Sequence, residues 1–96
     1  MPFNIKFEDK ILYLSGDLTI DNVMFVKERA AHYLQPGKDF LTIDCSAMQK
    51  IDTSALALML DWQRSANQAK IKLNFCGLSK DLLALIEISG LNSFFA

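Results

Sequence analysis

The spacing of apolar residues changes period along the chain, and each change marks an element. Phe3, Ile5 and Phe7 fall on one side of an extended segment with Asn4 and Lys6 on the other, a period of two that predicts a half-buried strand. Glu8-Asp9-Lys10 reads as a polar turn, and Ile11-Leu12-Tyr13-Leu14-Ser15 as the hairpin partner, broken by Gly16-Asp17. From Ile20 the period becomes helical: Ile20, Val23, Val26, Ala30, Tyr33 and Leu34 share a face. Thr19 and Asp21 are the candidate caps at its start, and Pro36-Gly37 stops it. Phe40 to Cys45 reads as a strand again. Because it follows a helix, a crossover to a parallel neighbour is expected.

The second half repeats the logic. Residues 53–68 predict a helix, Ile71 to Cys76 a fourth strand through Ile71, Leu73 and Phe75, and Ser79 caps a third helix ending near Ile88. Gly77 and Gly90 are breakers, and Leu91 to Ala96 predicts a turn or a small edge strand. The order ββαβαβα defines an α/β chain, a mixed four- to five-stranded sheet with helices packed on it, in one domain spanning residues 1–96.

The helix over 53–68 is richer in apolar residues than one sheet-facing stripe requires. Two stripes fit it: Leu56, Met59, Leu60 and Gln63, or Ala55, Leu58, Met59, Trp62 and Ala66. Whichever faces the sheet, large apolar side chains remain on the flank, for a partner protein or for the tail Phe94-Phe95 to cover. Phe25 falls off the main face of the first helix and adds to the same apolar surface.

The chemistry concentrates where this helix begins, at Ile51-Asp52-Thr53-Ser54-Ala55-Leu56. Asp52 and Thr53 are both strong N-cap types. A hydroxyl there lies at the positive end of the helix dipole, beside N–H groups without helical partners. Two readings stand: a helix cap alone, or a site where phosphate on Thr53 or Ser54 meets those groups while Asp52 repels it.

Composition removes several alternatives. Ten basic residues against eleven acidic ones give a net charge of −1, with the basic residues scattered, so no nucleic-acid partner is expected. An apolar share of 51% excludes a disordered chain, and no uncharged apolar run approaches ~18 residues, so no membrane insertion is expected. The start Met1-Pro2-Phe3 has no signal-peptide pattern, which makes the cytoplasm the expected compartment. Cys45 and Cys76 have no metal-binding spacing and read as reduced structural thiols. His32 is the single histidine, with no nucleophile placed beside it by sequence, and the four glycines each end an element instead of forming a phosphate loop. Neither catalysis, a metal nor a cofactor is expected.

Four segments in this order resemble the STAS family (sulfate transporter and anti-sigma-factor antagonist domains) over nearly the whole chain: Leu14-Ser15-Gly16-Asp17-Leu18, Ile43-Asp44-Cys45-Ser46, Ile51-Asp52-Thr53-Ser54-Ala55-Leu56 and Ile88-Ser89-Gly90-Leu91. The Asp-[Ser/Thr]-Ser segment is the most specific of them. In anti-sigma factor antagonists of the family, the hydroxyl residue after that Asp is phosphorylated by a partner kinase, and phosphate blocks partner binding; the matching residue is Thr53, with Asp52 shaping the site. The resemblance also implies a partner surface made by the Gly16-Asp17-Leu18-Thr19 loop and the second helix. The chain has Thr53 where the family often has Ser, and Ala55 where it often has Gly. Asp52-Thr53 followed by Leu56-Ala57-Leu58-Met59-Leu60 looks more like the small cytoplasmic STAS subunit of the Mla phospholipid ABC transporter, which binds and supports the ATPase subunit. The resemblance thus implies an ATPase partner, or alternatively an anti-sigma factor kinase, contacted through Thr53 with Asp17, Asp52, Ser54, Leu58 and Trp62. It implies a place at the inner face of the inner membrane, held there by the partner. It also implies that the first stripe faces the sheet and that Leu58 and Trp62 point outward.

Overall fold

The computed structural model describes residues 2–94 of the 96. Its elements are β1 (Asn4–Glu8), β2 (Ile11–Leu18), α1 (Val23–Ala30), β3 (Phe40–Ile51), α2 (Thr53–Ala69), β4 (Lys72–Cys76) and α3 (Lys80–Ile88). The sheet order is β1-β2-β3-β4; β1 runs antiparallel to β2, and β2, β3 and β4 are mutually parallel. This is the expected α/β order with a mixed sheet of four strands. After Leu91 the described chain forms a short 3-10 turn, Asn92–Phe94, where the sequence also allowed an edge strand. The expected cover of α2 by Phe94-Phe95 rests in part on Phe95, which lies outside the described residues.

Strand alternation decides the layers. Leu12, Leu14, Leu41, Ile43 and Cys45 are buried, while their strand neighbours Tyr13, Thr42 and Asp44 are not, so the helices cover one face of the sheet and leave the other open. Val26 and Ala30 of α1, Leu82 and Ile86 of α3, and six residues of α2 close the core from the helix side.

Three expectations are corrected. The first helix begins at Val23, not Ile20, because its cap is built differently: Asn22 is the N-cap, the Val23 N–H donates to the Thr19 carbonyl at 3.0 Å, and the Asn22 Oδ1 accepts from the Thr19 N–H at 3.0 Å. Ile20 therefore stands in the loop, 71% exposed. The helix ends in a 3-10 turn, Ala31–Tyr33, that carries His32. Second, β3 does not stop at Cys45; it runs on to Ile51, so only Asp52 separates strand from helix.

The third correction concerns α2. Leu58 and Trp62, expected to face outward, are 3% and 2% exposed. Ala55 and Ala66 of the same stripe are fully buried, as Met59 nearly is. The cause is position: α2 packs against α1 on one side and α3 on the other, so two stripes are buried at once. Leu56 and Met59 of the first stripe are buried as well, and Leu60 and Gln63 half-buried.

Gly16 shows why the end of β2 needs its glycine. It holds a φ of +93° between two irregularities in the β2–β3 register, and a Cβ there would run into the Pro2 carbonyl and the Phe3 Cα. The bulged strand end turns the chain toward the start of α2.

Candidate functional site

The site is assembled at the C-terminal ends of β2 and β3, where the β2–α1 loop meets the start of α2. Asp52 is its organiser. As N-cap, with extended backbone, its Oδ1 accepts from the Ser54 N–H at 2.8 Å, and its carbonyl accepts from the Ala55 N–H at 3.0 Å. Its other oxygen, Oδ2, accepts from the Ile20 N–H at 3.0 Å, thirty-two positions away. The Ile20 N–H, with the N–H groups around Ser54 acting in the same direction, holds the Asp52 carboxyl below its ordinary value; partial desolvation opposes them without winning.

Asp17 ties the neighbouring strands together: its Oδ1 accepts from the Lys50 N–H at 3.1 Å, and its carbonyl accepts from the Asn22 Nδ2 at 2.8 Å. The loop between β2 and α1 is thus fixed at three points, by Asp17 and Asn22 at one end, by the Thr19–Asn22 pair in the middle, and by Asp52 on Ile20. Only the third contact joins residues distant in sequence, which is why residue types by themselves do not reveal it.

Thr53 is the first residue of α2 and is exposed; its hydroxyl makes no hydrogen bond among the described residues. Ser54 is half-buried and lines a groove with Ile20, Met24, Ala57 and Leu58 along the α1–α2 seam, about 360 Å³ in volume. The structure therefore brings Asp17, Asp52, Thr53 and Ser54 to one end of the molecule. Leu58 forms the wall of the adjoining groove, and Trp62 lies further along the seam, both beneath the surface. Sequence reasoning missed two residues of this face: Ile20, assigned to the inward stripe, and Met24, which it did not single out. They are 71% and 65% exposed, and Phe25 beside them is 53% exposed. The legible signal for Ile20 was its place between Thr19 and Asn22, a capping pair that puts it ahead of the helix.

Farther along the seam, Asp61 pairs with Lys27 of α1 and with Arg64, each at 3.6 Å. On the open sheet face, Asp44 accepts from both the Ser46 Oγ at 2.6 Å and the Ser46 N–H at 2.9 Å, and these bonds lower its pKa. Among the described residues no group of three His, Cys, Asp or Glu is arranged to hold a metal, and no helix is long and apolar enough to cross a membrane.

A braced, hydroxyl-bearing helix start at the strand ends, on a four-stranded mixed sheet covered on one face, defines a STAS-type α/β domain. The chain belongs to the MlaB-type STAS family: the model described as "Mlab, STAS domain" matches residues 1–95. Solved structures agree on the fold. A crystal structure titled as a putative anti-sigma factor antagonist from Thermotoga maritima superposes with a TM-score of 0.75 at 15% identity, covering 97% of this chain and 82% of that one. The anti-sigma factor antagonist SpoIIAA in its unphosphorylated form gives 0.76 at 15% identity, over 99% and 86% of the two chains. The Bacillus SpoIIAA in its phosphorylated form gives 0.71 at 14% identity, over 99% and 89%. No curated protein gives a significant match to the sequence.

Proposed function

We propose that this chain is a non-enzymatic binding module, the cytoplasmic accessory subunit of a phospholipid-transporting ABC complex, held at the inner face of the inner membrane by its partner. Its partner is the ATPase subunit, and its contact face is the end of the molecule built around Thr53. The observation that carries the reading is the pairing of an exposed, unengaged Thr53 with exposed Ile20 and Met24 on a braced loop, in a chain of the MlaB-type family. Such a face offers apolar area ringed by polar groups and already fixed in place, so docking orders few side chains. Asp52 and Asp17 hold the face in shape, and Ser54 lines it. Leu58 and Trp62 support it from below and are not surface anchors.

The alternative is an anti-sigma factor antagonist switched by phosphorylation of Thr53. The same exposure that suits Thr53 to a protein contact suits it to a kinase, and the structural neighbours titled as anti-sigma factor antagonists keep this reading in view. Affinity purification of the tagged protein from its own cells, with mass spectrometry of the partners and of the Thr53 peptide, separates the two. Stoichiometric recovery of an ABC ATPase with its permease supports the transporter reading. Recovery of a kinase-like anti-sigma factor, with phosphate on Thr53, overturns it.

A further inference from the structure

The groove beside Thr53 has a shape and a charge pattern that define its occupant. On α2 it is lined by Ser54, Ala57, Leu58, Asp61 and Arg64, which follow one another at helical spacing and span about 15 Å of the helix axis. Ile20, Met24 and Lys27 line it from the other side. Leu58 is buried beneath it, and Ala57 is exposed with only a methyl group, so a large side chain can come close to the α2 backbone there. The lining holds no open strand edge, so a segment cannot dock by adding a strand; an apolar stripe at helical spacing is what two packed helices receive between them. Charge changes sign along the groove. At one end Lys27 and Arg64 share a single carboxylate, Asp61, at 3.6 Å each, which leaves one positive charge unmatched. At the other end stand Asp52, the N-cap next to Ser54, and Asp21, next to Ile20; neither has an ion-pair partner among the described residues. A carboxylate on an occupant is therefore attracted at the Arg64 end and repelled at the Thr53 end.

We propose that an amphipathic helix of the ATPase, about three turns long, lies in this groove, its apolar stripe on Met24 and Ala57 and an acidic side chain at the end that meets Arg64 and Lys27. The proposal rests on the ATPase reading given above. It adds which kind of element of that partner docks and which way its charge points.

Calorimetric titration of the intact protein with the purified ATPase subunit tests it. Ala57→Gln fills the groove at an exposed helix position where Gln is a good helix former, so the fold is kept, and binding is expected to weaken about tenfold or more. Arg64→Glu is expected to weaken binding about tenfold, and Arg64→Lys, which keeps the charge, by no more than about threefold. Lys72→Glu makes the same change in net charge on β4, away from the groove, and is expected to bind like the wild type. Hydrogen exchange of the ATPase with and without its partner locates the docked element: protection of one helix that has an apolar stripe and an acidic end is expected. Full affinity in Ala57→Gln or Arg64→Glu while Ile20→Ser binds weakly overturns the proposal and leaves the ATPase contact at the Thr53 end standing. An equal loss in Lys72→Glu, or protection confined to a strand or loop of the ATPase, overturns it too. A wild-type protein that does not bind the ATPase overturns the ATPase reading and this proposal with it.

Discussion

The Asp52 carboxylate joins the start of α2 to the Ile20 N–H at 3.0 Å, so one side chain caps a helix with one oxygen and anchors a distant loop with the other. The apolar face at Ile20 and Met24 is in place because of that second bond. The cap by itself would order only α2.

This division of labour separates two substitutions. Asp52→Asn retains one acceptor oxygen and is a good N-cap residue, but its amide cannot accept from both Ser54 and Ile20. Asp52→Ala removes both bonds. Loss of the cap costs about 1 kcal/mol, and loss of the loop anchor a further ~1 kcal/mol. Chemical denaturation is expected to rank the proteins wild type, Asn, Ala, with amide hydrogen exchange of the Thr19–Asn22 loop accelerated in both variants. Equal stability of the Asn variant and the wild type would mean that the Ile20 bond contributes nothing.

The same bonds set an acid response. Asp52 and Asp44 both have folded pKa values below their ordinary 3.8, held down first by the Ile20 N–H and by the Ser46 hydroxyl respectively. A carboxyl with a depressed folded pKa stabilises the protein fully above its unfolded pKa, and that contribution is lost as pH falls through the folded value. Stability is therefore expected to decline below about pH 4. The decline should be shallower in Asp52→Asn, which has no carboxyl to protonate there. Thermal melts between neutral pH and pH 3 check the sign.

Gly16 and Gly37 make a controlled pair. Both have positive φ, +93° and +106°, but a Cβ at Gly16 meets the Pro2 carbonyl, whereas at Gly37 it meets nothing within 4 Å. Gly37→Ala is expected to cost about 1 kcal/mol, the conformational penalty alone. Gly16→Ala adds a backbone collision and should cost more than ~2 kcal/mol. Comparable midpoints in urea would show that the N-terminal segment moves aside freely.

Cys45 and Cys76 lie on adjacent strands yet should react differently. Burial pushes the Cys45 thiol up to about 12, with Cys76 and Asp44 adding to the effect, so thiolate is scarce at neutral pH. Cys76 is exposed, and its pKa is raised as well, first by desolvation and then by Asp44. Alkylation at pH 8, followed by peptide mass spectrometry, is expected to label Cys76 slowly and Cys45 only after unfolding. Rapid labelling of Cys45 in the native protein would contradict its burial.

The sequence made some of this legible for reasons that can be named. Ser79 and Asp52 announce their helices because capping is a local transaction between a side chain and N–H groups two or three residues on, and both caps are present, at 3.1 Å and 2.8 Å. The length of β3 was not legible. Beyond Cys45 the strand has Ser46, Gln49 and Lys50, and its pairing continues with Ser15, Gly16 and Leu18 of β2 at the sheet's end, where burial no longer alternates. Ile20 misled because periodicity counts an apolar residue as inward whether or not the helix has begun. Leu58 and Trp62 misled because a stripe was assigned to α2 as though it had one neighbour, and it has α1 and α3 on either side. Burial over a wide arc is a tertiary property, and the excess of apolar residues in α2 was its only trace in the sequence.

The proposed partner face yields the sharpest prediction. Ile20 and Met24 are exposed and lie outside the buried core, so Ile20→Ser and Met24→Ser are expected to change stability by no more than about 0.5 kcal/mol. If the ATPase docks on this face, each should weaken its binding by at least ~1 kcal/mol, about fivefold, because an apolar contact at the centre of an interface is replaced by a hydroxyl. Thr53→Glu places a negative charge beside Asp52 and should weaken binding further, whereas Thr53→Ser should leave it within about twofold. Titration calorimetry with the purified ATPase subunit measures all four. Full affinity in Ile20→Ser, Met24→Ser and Thr53→Glu, with unchanged folding, would move the contact to another surface. Loss confined to Thr53→Glu would show a small polar contact at the helix start in which the apolar residues take no part.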